Sequence, residues 1–402
     1  MTAGVYLHIP FCKSRCSYCD FATDIYRSGD AAERYVAALC KEVKAFEKTG
    51  GGTSLSECIN LDETNTIPHG RVPTGVDDSR VVVDTIYFGG GTPSLLNAVQ
   101  VEKILAAVRS RFSVDSSAEI TMEMNPATVT MESLRDYKSL GVNRASFGVQ
   151  TFNDQALKLL ARGHDANDAR RTYEMLRDAA FENISFDLIA GLPGQTLQNW
   201  ERNLDEAIKM SPEHLSLYLL EIHEGTPLAE QVRSGRQPRP DDNLAAQMYE
   251  MMCERLADAG YHQYEISNFA KPERESRHNS KYWRLDPVFG FGVSAHSFDG
   301  RDRYANECDT NCYVEMIEST GVAEVSRQNI ELVSEFTFLG LRMNSGIMLD
   351  DFSQQFGVSI LDKYTVEIDE LVDLGLIELT DSNLHLTRAG RLYSNEVFQR
   401  FV

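Results

Sequence analysis

The sequence predicts an α/β fold: a partial parallel (β/α)6 barrel of TIM-like type, joined to a small C-terminal winged-helix-like α/β domain. Three observations predict it. Apolar runs of strand length alternate six times with stretches of helical periodicity. Polar and glycine residues recur where those runs end. From about residue 329 the pattern changes to helices followed by short strands. An open doubly wound sheet accounts for the same alternation and is the competing arrangement.

The first strand is "GVYLHI" (4–9), and the stretch 31–48 after it spaces Val36, Leu39, Cys40, Val43 and Phe46 on one helical face. "VVVDTIYF" (81–88) is the continuous apolar run that a parallel strand buried on both faces needs, and Val101, Ile104, Leu105 and Val108 then mark a helix. "AEITMEM" (118–124) precedes a helix near 131–140, and "RASFGV" (144–149) precedes helices that run through 180. "ISFDLIA" (184–190) precedes a helix near 197–210, and "LSLYLLEI" (215–222) is the sixth strand. On this basis residues 1–230 form the barrel, 231–325 an extension and 326–402 the C-terminal domain. In that last part "ELVSEFTFLGLRM" and "SILDKYTVEIDELVDLGLI" predict helices, and "LVDLGLIEL" with "NLHLT" has a helix-and-wing pattern. Residues 49–79, rich in Gly, Thr, Ser and Asp without periodicity, predict a solvated loop insertion in which Cys58 is incidental.

Composition excludes several classes. Sixty acidic residues against 39 basic ones leave a net charge of −21, which argues against nucleic-acid binding and favours a protein-contact or lid role for the winged-helix-like domain. No run of eighteen apolar residues is available for a membrane span. The N-terminal residues lack the basic-then-apolar pattern of a signal peptide. Eight cysteines outside a secretory context read as reduced thiols or metal ligands, so the expected location is a reducing cytoplasm.

The chemistry concentrates in "HIPFCKSRCSYCDF" (8–21), which places Cys12, Cys16 and Cys19 just after the first strand. A structural zinc site wants four ligands, and neither His8 nor Asp20 completes a zinc-finger spacing. Three thiolates from one loop suit a [4Fe–4S] cluster with one iron left free, shielded by Phe11, Tyr18 and Phe21. "GGGTPS" (89–94) ends the second strand. It lacks both the GK[ST] ending of a phosphate loop and the spacing of a dinucleotide loop. Glu123 closes the third strand, Gln150 follows the fourth, Asp187 lies in the fifth and Glu221 ends the sixth. Polar residues at the carboxyl ends of successive barrel strands converge on one pocket, and carboxylates in apolar strands are costly unless partnered. Cys40 and Cys253 fall on helical faces and read as small buried hydrophobes. Cys308 and Cys312, one turn apart, bind a second metal or pack, and packing is favoured.

"YLHIPFCKSRCSYCDF" resembles the CxxxCxxC signature of radical S-adenosylmethionine (SAM) enzymes, in the branch that holds oxygen-independent coproporphyrinogen oxidase and the HemW haem chaperones. The resemblance continues through "YFGGGTPSLL", "EITMEMNP", "RASFGVQTF", "RGHDANDA", "DLIAGLPGQT", "LSLYLLEIHEGTPL", "SRHNSKYW" and "FGFGVSAHS" to "EFTFLGLRM". It implies that the cluster's free iron chelates the amino and carboxylate groups of SAM, whose sulfonium is cleaved on reduction. It further implies that Tyr6 packs beside cluster and SAM, and that Gly90, Gly91 and Thr92 offer backbone to the methionine part. Glu123, Gln150, Arg162 and Asp187 would bind its polar groups. Two departures from the oxidase pattern favour the chaperone side of the branch. Phe21 stands where the oxidases have a further cysteine, and Cys12 comes too early for their long N-terminal extension. "HNSKYW" (278–283) matches the HNxxYW motif linked in the chaperones to haem, which makes His278 the expected axial ligand. The expected partners are haem and apo-haem proteins such as membrane-bound respiratory enzymes; a homodimer is compatible with this reading. Oxidative decarboxylation of coproporphyrinogen III and an interaction scaffold without chemistry are the alternatives.

Overall fold

A computed structural model describes residues 2–26, 28–47 and 80–402; the expected 49–79 insertion, with Cys58, lies outside the described residues. Six parallel strands run in chain order: β1 (Ala3–Ile9), β2 (Val82–Gly90), β3 (Ser113–Met124), β4 (Arg144–Gln150), β5 (Ile184–Ala190) and β6 (His214–Leu219). Neighbours in space are neighbours in sequence throughout. A doubly wound sheet would reverse its order at a switch point, so this sheet is of the barrel type. A seventh parallel strand, β7 (Val288–Phe291), pairs with β1 on its free side. Antiparallel strands then extend both edges, giving twelve strands whose ends, Glu324–Asn329 and His262–Gln263, do not pair. The barrel is therefore open.

The crossovers are helices whose starts the sequence marks. α1 (Gly29–Ala45) is capped by the Ser28 hydroxyl, and α2 (Ala98–Arg111) by a reciprocal Asn97–Gln100 box. α3 (Met131–Ser139), α4 (Ala166–Asp178) and α5 (Leu197–Met210) begin on Thr130, Asp165 and Thr196 side chains that accept backbone N–H bonds. These helices cover the sheet with one apolar core around Ile86, Phe147, Phe186 and the fully buried Trp200, and Cys40 and Cys253, half-buried instead of buried, pack against it.

Further on come α6 (Asp242–Asp258) and the short α7 (Arg277–Trp283), which carries the HNSKYW motif. From α8 (Leu332–Arg342) onward a second core forms around Leu341, Phe352, Ile368 and Leu384, faced by a three-stranded antiparallel sheet. Among the described residues no helix is long and apolar enough to cross a membrane.

Candidate functional site

The loop that carries the three thiols is tied at both ends. Phe11–Cys12 pairs in parallel with Asp24–Ile25, and Phe11 is buried edge-on against Tyr26 and Tyr35. The glycines at the end of β2 let this loop cross closely. Gly91 donates its N–H to the Ile9 carbonyl, and a Cβ there would lie 2.6 Å from the Pro10 oxygen. Gly90 has φ 106°, and a Cβ on it would meet the His8 ring at 2.6 Å. Their first structural use is thus to seat the loop, with close approach to a ligand as a second.

Cys12, Cys16 and Cys19 then line one cavity of about 520 Å³. The Thr92 hydroxyl donates to the Cys12 sulfur at 3.5 Å, and Arg162 Nη1 donates to that of Cys16 at 3.4 Å. Burial pushes the Cys12 and Cys19 thiols up, and the neighbouring thiols add to this. Among the described residues no three His, Cys, Asp or Glu side chains converge tightly enough to share a single metal ion. Three thiols from one loop are the donor set a [4Fe–4S] cluster takes, one thiolate to each of three irons, and the two donors to sulfur are of the kind that tune such clusters.

The opposite wall is polar. Glu123, at the end of β3, accepts the Tyr87 hydroxyl at 2.7 Å and the Gly90 N–H at 3.1 Å. Burial raises its pKa to about 7, the Tyr87 bond pulls back and Asp187 pushes further up. Asp187, on β5, is likewise raised by burial and held down by Ser216, Arg144 and Arg162. Arg162 donates to the Gly148 carbonyl at 2.8 Å and to Asn125, whose amide donates to Thr92 at 2.8 Å. Gln150 has φ 64°, a left-handed conformation that costs a non-glycine residue of order 1 kcal/mol or more, and its side chain lines the cavity. Glu123, Gln150, Arg162, Asp187, Gly90 and Gly91 are therefore together with the cysteines. These groups can receive an ammonium, a carboxylate and hydroxyls.

Several expected residues lie elsewhere. Thr92 is buried and does not line the cavity itself; it reaches it through Cys12 and Asn125. Tyr6 lies outside the cavity lining, its hydroxyl 3.1 Å from His8 Nδ1 and its ring beside the stacked Tyr87 and His278 rings. Glu221 lines the cavity from the loop after β6, because that strand ends at Leu219. His278 does not match the expectation of an iron ligand. It is 1% exposed, its Nδ1 lies 2.9 Å from the Thr85 hydroxyl and its Nε2 lies 3.3 Å from that of Tyr282. Burial, with Lys281 and Arg144 nearby, lowers its pKa to about 3. Both ring nitrogens are engaged, so no lone pair is presented to a ligand in this conformation. The rest of the motif is a joint: Trp283 lies under the Arg342 guanidinium at 4.2 Å, binding α7 to α8. Cys308 and Cys312 are exposed instead of packed.

Other contributors escaped the sequence reading. Asn125, two residues past Glu123, bridges Thr92 and Arg162; its place at a strand end was the available signal. Arg144 is 1% exposed with Nε and Nη1 unpartnered, and it lowers the pKa of both Glu123 and Asp187. His223 and Arg391 line the mouth, and nothing local in the sequence marks either.

Comparison with known proteins follows the same lines. A model of the radical SAM superfamily matches residues 77–207, and one of the HemN C-terminal domain matches 328–393. "Heme chaperone HemW" of Bacillus subtilis is 35% identical, over 99% of each chain. "Radical S-adenosyl methionine domain-containing protein 1, mitochondrial" of Bos taurus is 32% identical, over 96% of this chain and 84% of that one. The structure of the Escherichia coli coproporphyrinogen III oxidase HemN aligns with a TM-score of 0.81 over 100% of this chain and 90% of its own. At 23% identity, that similarity is one of fold.

Proposed function

Because the chain belongs to the radical SAM superfamily and, within it, to the HemW family, we propose that it is a haem chaperone of the cytoplasm. It takes up haem beside a cluster-and-SAM site and delivers it to apo-haem proteins such as respiratory enzymes. The observation that carries this reading is Phe21. Next to the cluster loop, where the oxidase pattern calls for another thiol, the chain presents an aromatic side chain that is 62% exposed at the cavity mouth. An exposed flat apolar group suits stacking on a planar macrocycle and supplies no acid, base or thiol for decarboxylation.

In this reading Cys12, Cys16 and Cys19 hold the [4Fe–4S] cluster. Glu123, Gln150, Arg162 and Asp187, with the backbone of Gly90 and Gly91, hold SAM; Thr92 and Tyr6 support them from outside the cavity lining. When bound, cluster and SAM together supply one-electron reductive chemistry. The chain's own residues bind, orient and shield them: Arg162 balances the thiolates, and Glu123 receives the ammonium of the amino acid part. The test is anaerobic reconstitution followed by two parallel assays, haem titration and coproporphyrinogen III turnover with SAM and a reductant. The chaperone reading expects about one haem per chain and no protoporphyrinogen. Robust protoporphyrinogen formation overturns it in favour of the oxidase.

A further inference from the structure

Three features line the cavity, and none of them is among the residues assigned to ligate the cluster or hold SAM. The first is His223, on the loop after β6. Its carbonyl accepts the Thr226 hydroxyl at 2.7 Å, which fixes the loop, while its side chain stays 44% exposed. Nδ1 lies 3.5 Å from an Asp20 carboxylate oxygen, and Nε2 lies 3.8 Å from Glu221, itself 74% exposed and free to swing aside. An imidazole backed by a carboxylate on one nitrogen and open on the other is the usual arrangement of a metal-binding histidine. The second is Phe21, beside Asp20, exposed and lining the same cavity.

The third is Arg391, from the short C-terminal helix Arg388–Leu392. It lines the far wall, donates only to the Leu386 carbonyl at 3.3 Å, and leaves its buried Nε unpartnered. Among the described residues no carboxylate lies within ion-pair distance of it, in a chain with 60 acidic residues against 39 basic ones. An arginine left uncompensated in so acidic a protein has room for an anion from outside. Leu220 and Leu392 add apolar lining to the same cavity.

We propose that the mouth of the cavity is the haem site, with His223 as the axial ligand, Phe21 against the macrocycle and Arg391 paired with a propionate. A metalloporphyrin combines what these groups separately select: a metal that takes a neutral imidazole, a flat apolar face and peripheral carboxylates. These residues line the same cavity as the cysteines, so haem would sit against the cluster-and-SAM site. It also explains how the chain can bind haem although His278 is closed. The assignment rests on the haem-chaperone reading above.

The experiment titrates ferric haem into reconstituted full-length protein and into His223→Ala, Arg391→Gln and His278→Ala variants, reading Soret position, low-temperature electron paramagnetic resonance and affinity. Cluster absorption and circular dichroism confirm that each variant is folded. His223→Ala is expected to lose the imidazole-ligated spectrum and about tenfold or more in affinity, with the spectrum restored by added imidazole. Arg391→Gln is expected to weaken haem but not haem dimethyl ester, and His278→Ala to keep the wild-type spectrum. A His223→Ala protein whose spectrum and affinity match wild type overturns this site while leaving the chaperone reading standing. Wild-type protein that binds no haem overturns both.

Discussion

At the scale of single residues, most of the site is legible because its chemistry is costly to bury. Glu123 and Asp187 stand out in apolar strands for that reason, and the structure gives each of them partners and a raised pKa from burial. Replacing either with Ala should weaken SAM binding, read by calorimetry, while iron content stays near four per chain; unchanged affinity in both variants removes them from the site. His278 shows where residue-level reading stops. A histidine in a recognised motif carries no sign of which way its ring faces, and here both nitrogens are spent on Thr85 and Tyr282. His278→Ala should therefore destabilise the fold by about 1–3 kcal/mol, the penalty for leaving buried hydroxyls unpaired. Chemical denaturation measures this directly, and a neutral result contradicts the burial of its hydrogen bonds.

At the scale of elements, parallel strands and their crossovers were readable because continuous apolar runs, helical spacing and capping side chains all agree. β7 was not, since "VFGF" is four residues long and owes its place to pairing with β1. The glycines at the end of β2 suggest room for a ligand, yet Gly91, just past the strand, is first of all room for the cluster loop. Gly91→Ala should push that loop outward and reduce reconstituted iron with the barrel intact; wild-type iron content would show that the crossing can relax. α1 likewise hides its most consequential contacts. Its apolar face is obvious, but the partners of Glu42 come from far along the chain: the Gly292 N–H, the Asn306 amide and the Tyr313 hydroxyl. Burial outweighs these three donors and raises the Glu42 pKa from 4.5 to about 7. A carboxyl whose folded pKa is raised binds protons more tightly when folded, so its contribution is present below pH 4.5 and is lost as pH rises through about 7. Glu123 acts in the same direction. Urea midpoints should fall across that window, and Glu42→Gln should flatten the fall; an unaltered slope assigns the effect elsewhere.

At the scale of the whole molecule, the two cores are each foreshadowed by their own apolar patterns, but the seam between them is not, because its residues are far apart in sequence and individually unremarkable. Arg342, the last residue of α8, crosses that seam. Its guanidinium lies over Trp283, and its Nε is 2.8 Å from the carboxylate of Glu265, which is fully buried. Around it Asn344 donates to the Gln263 carbonyl at 2.7 Å, and Met343 bridges Glu265 in an isolated antiparallel pair. Removing the guanidinium leaves the Glu265 carboxylate buried with only the Ser267 N–H and the Asn268 amide, a loss of the order of 3–5 kcal/mol for an uncompensated charge. It also frees the Trp283 face. In Arg342→Ala, tryptophan fluorescence and far-ultraviolet circular dichroism should report two separate urea transitions, where the wild type shows one coincident transition. Arg342→Lys, which keeps the charge but not the planar stack, should fall between them. A single transition with an unmoved midpoint in the alanine variant would mean that the two cores hold together without this arginine.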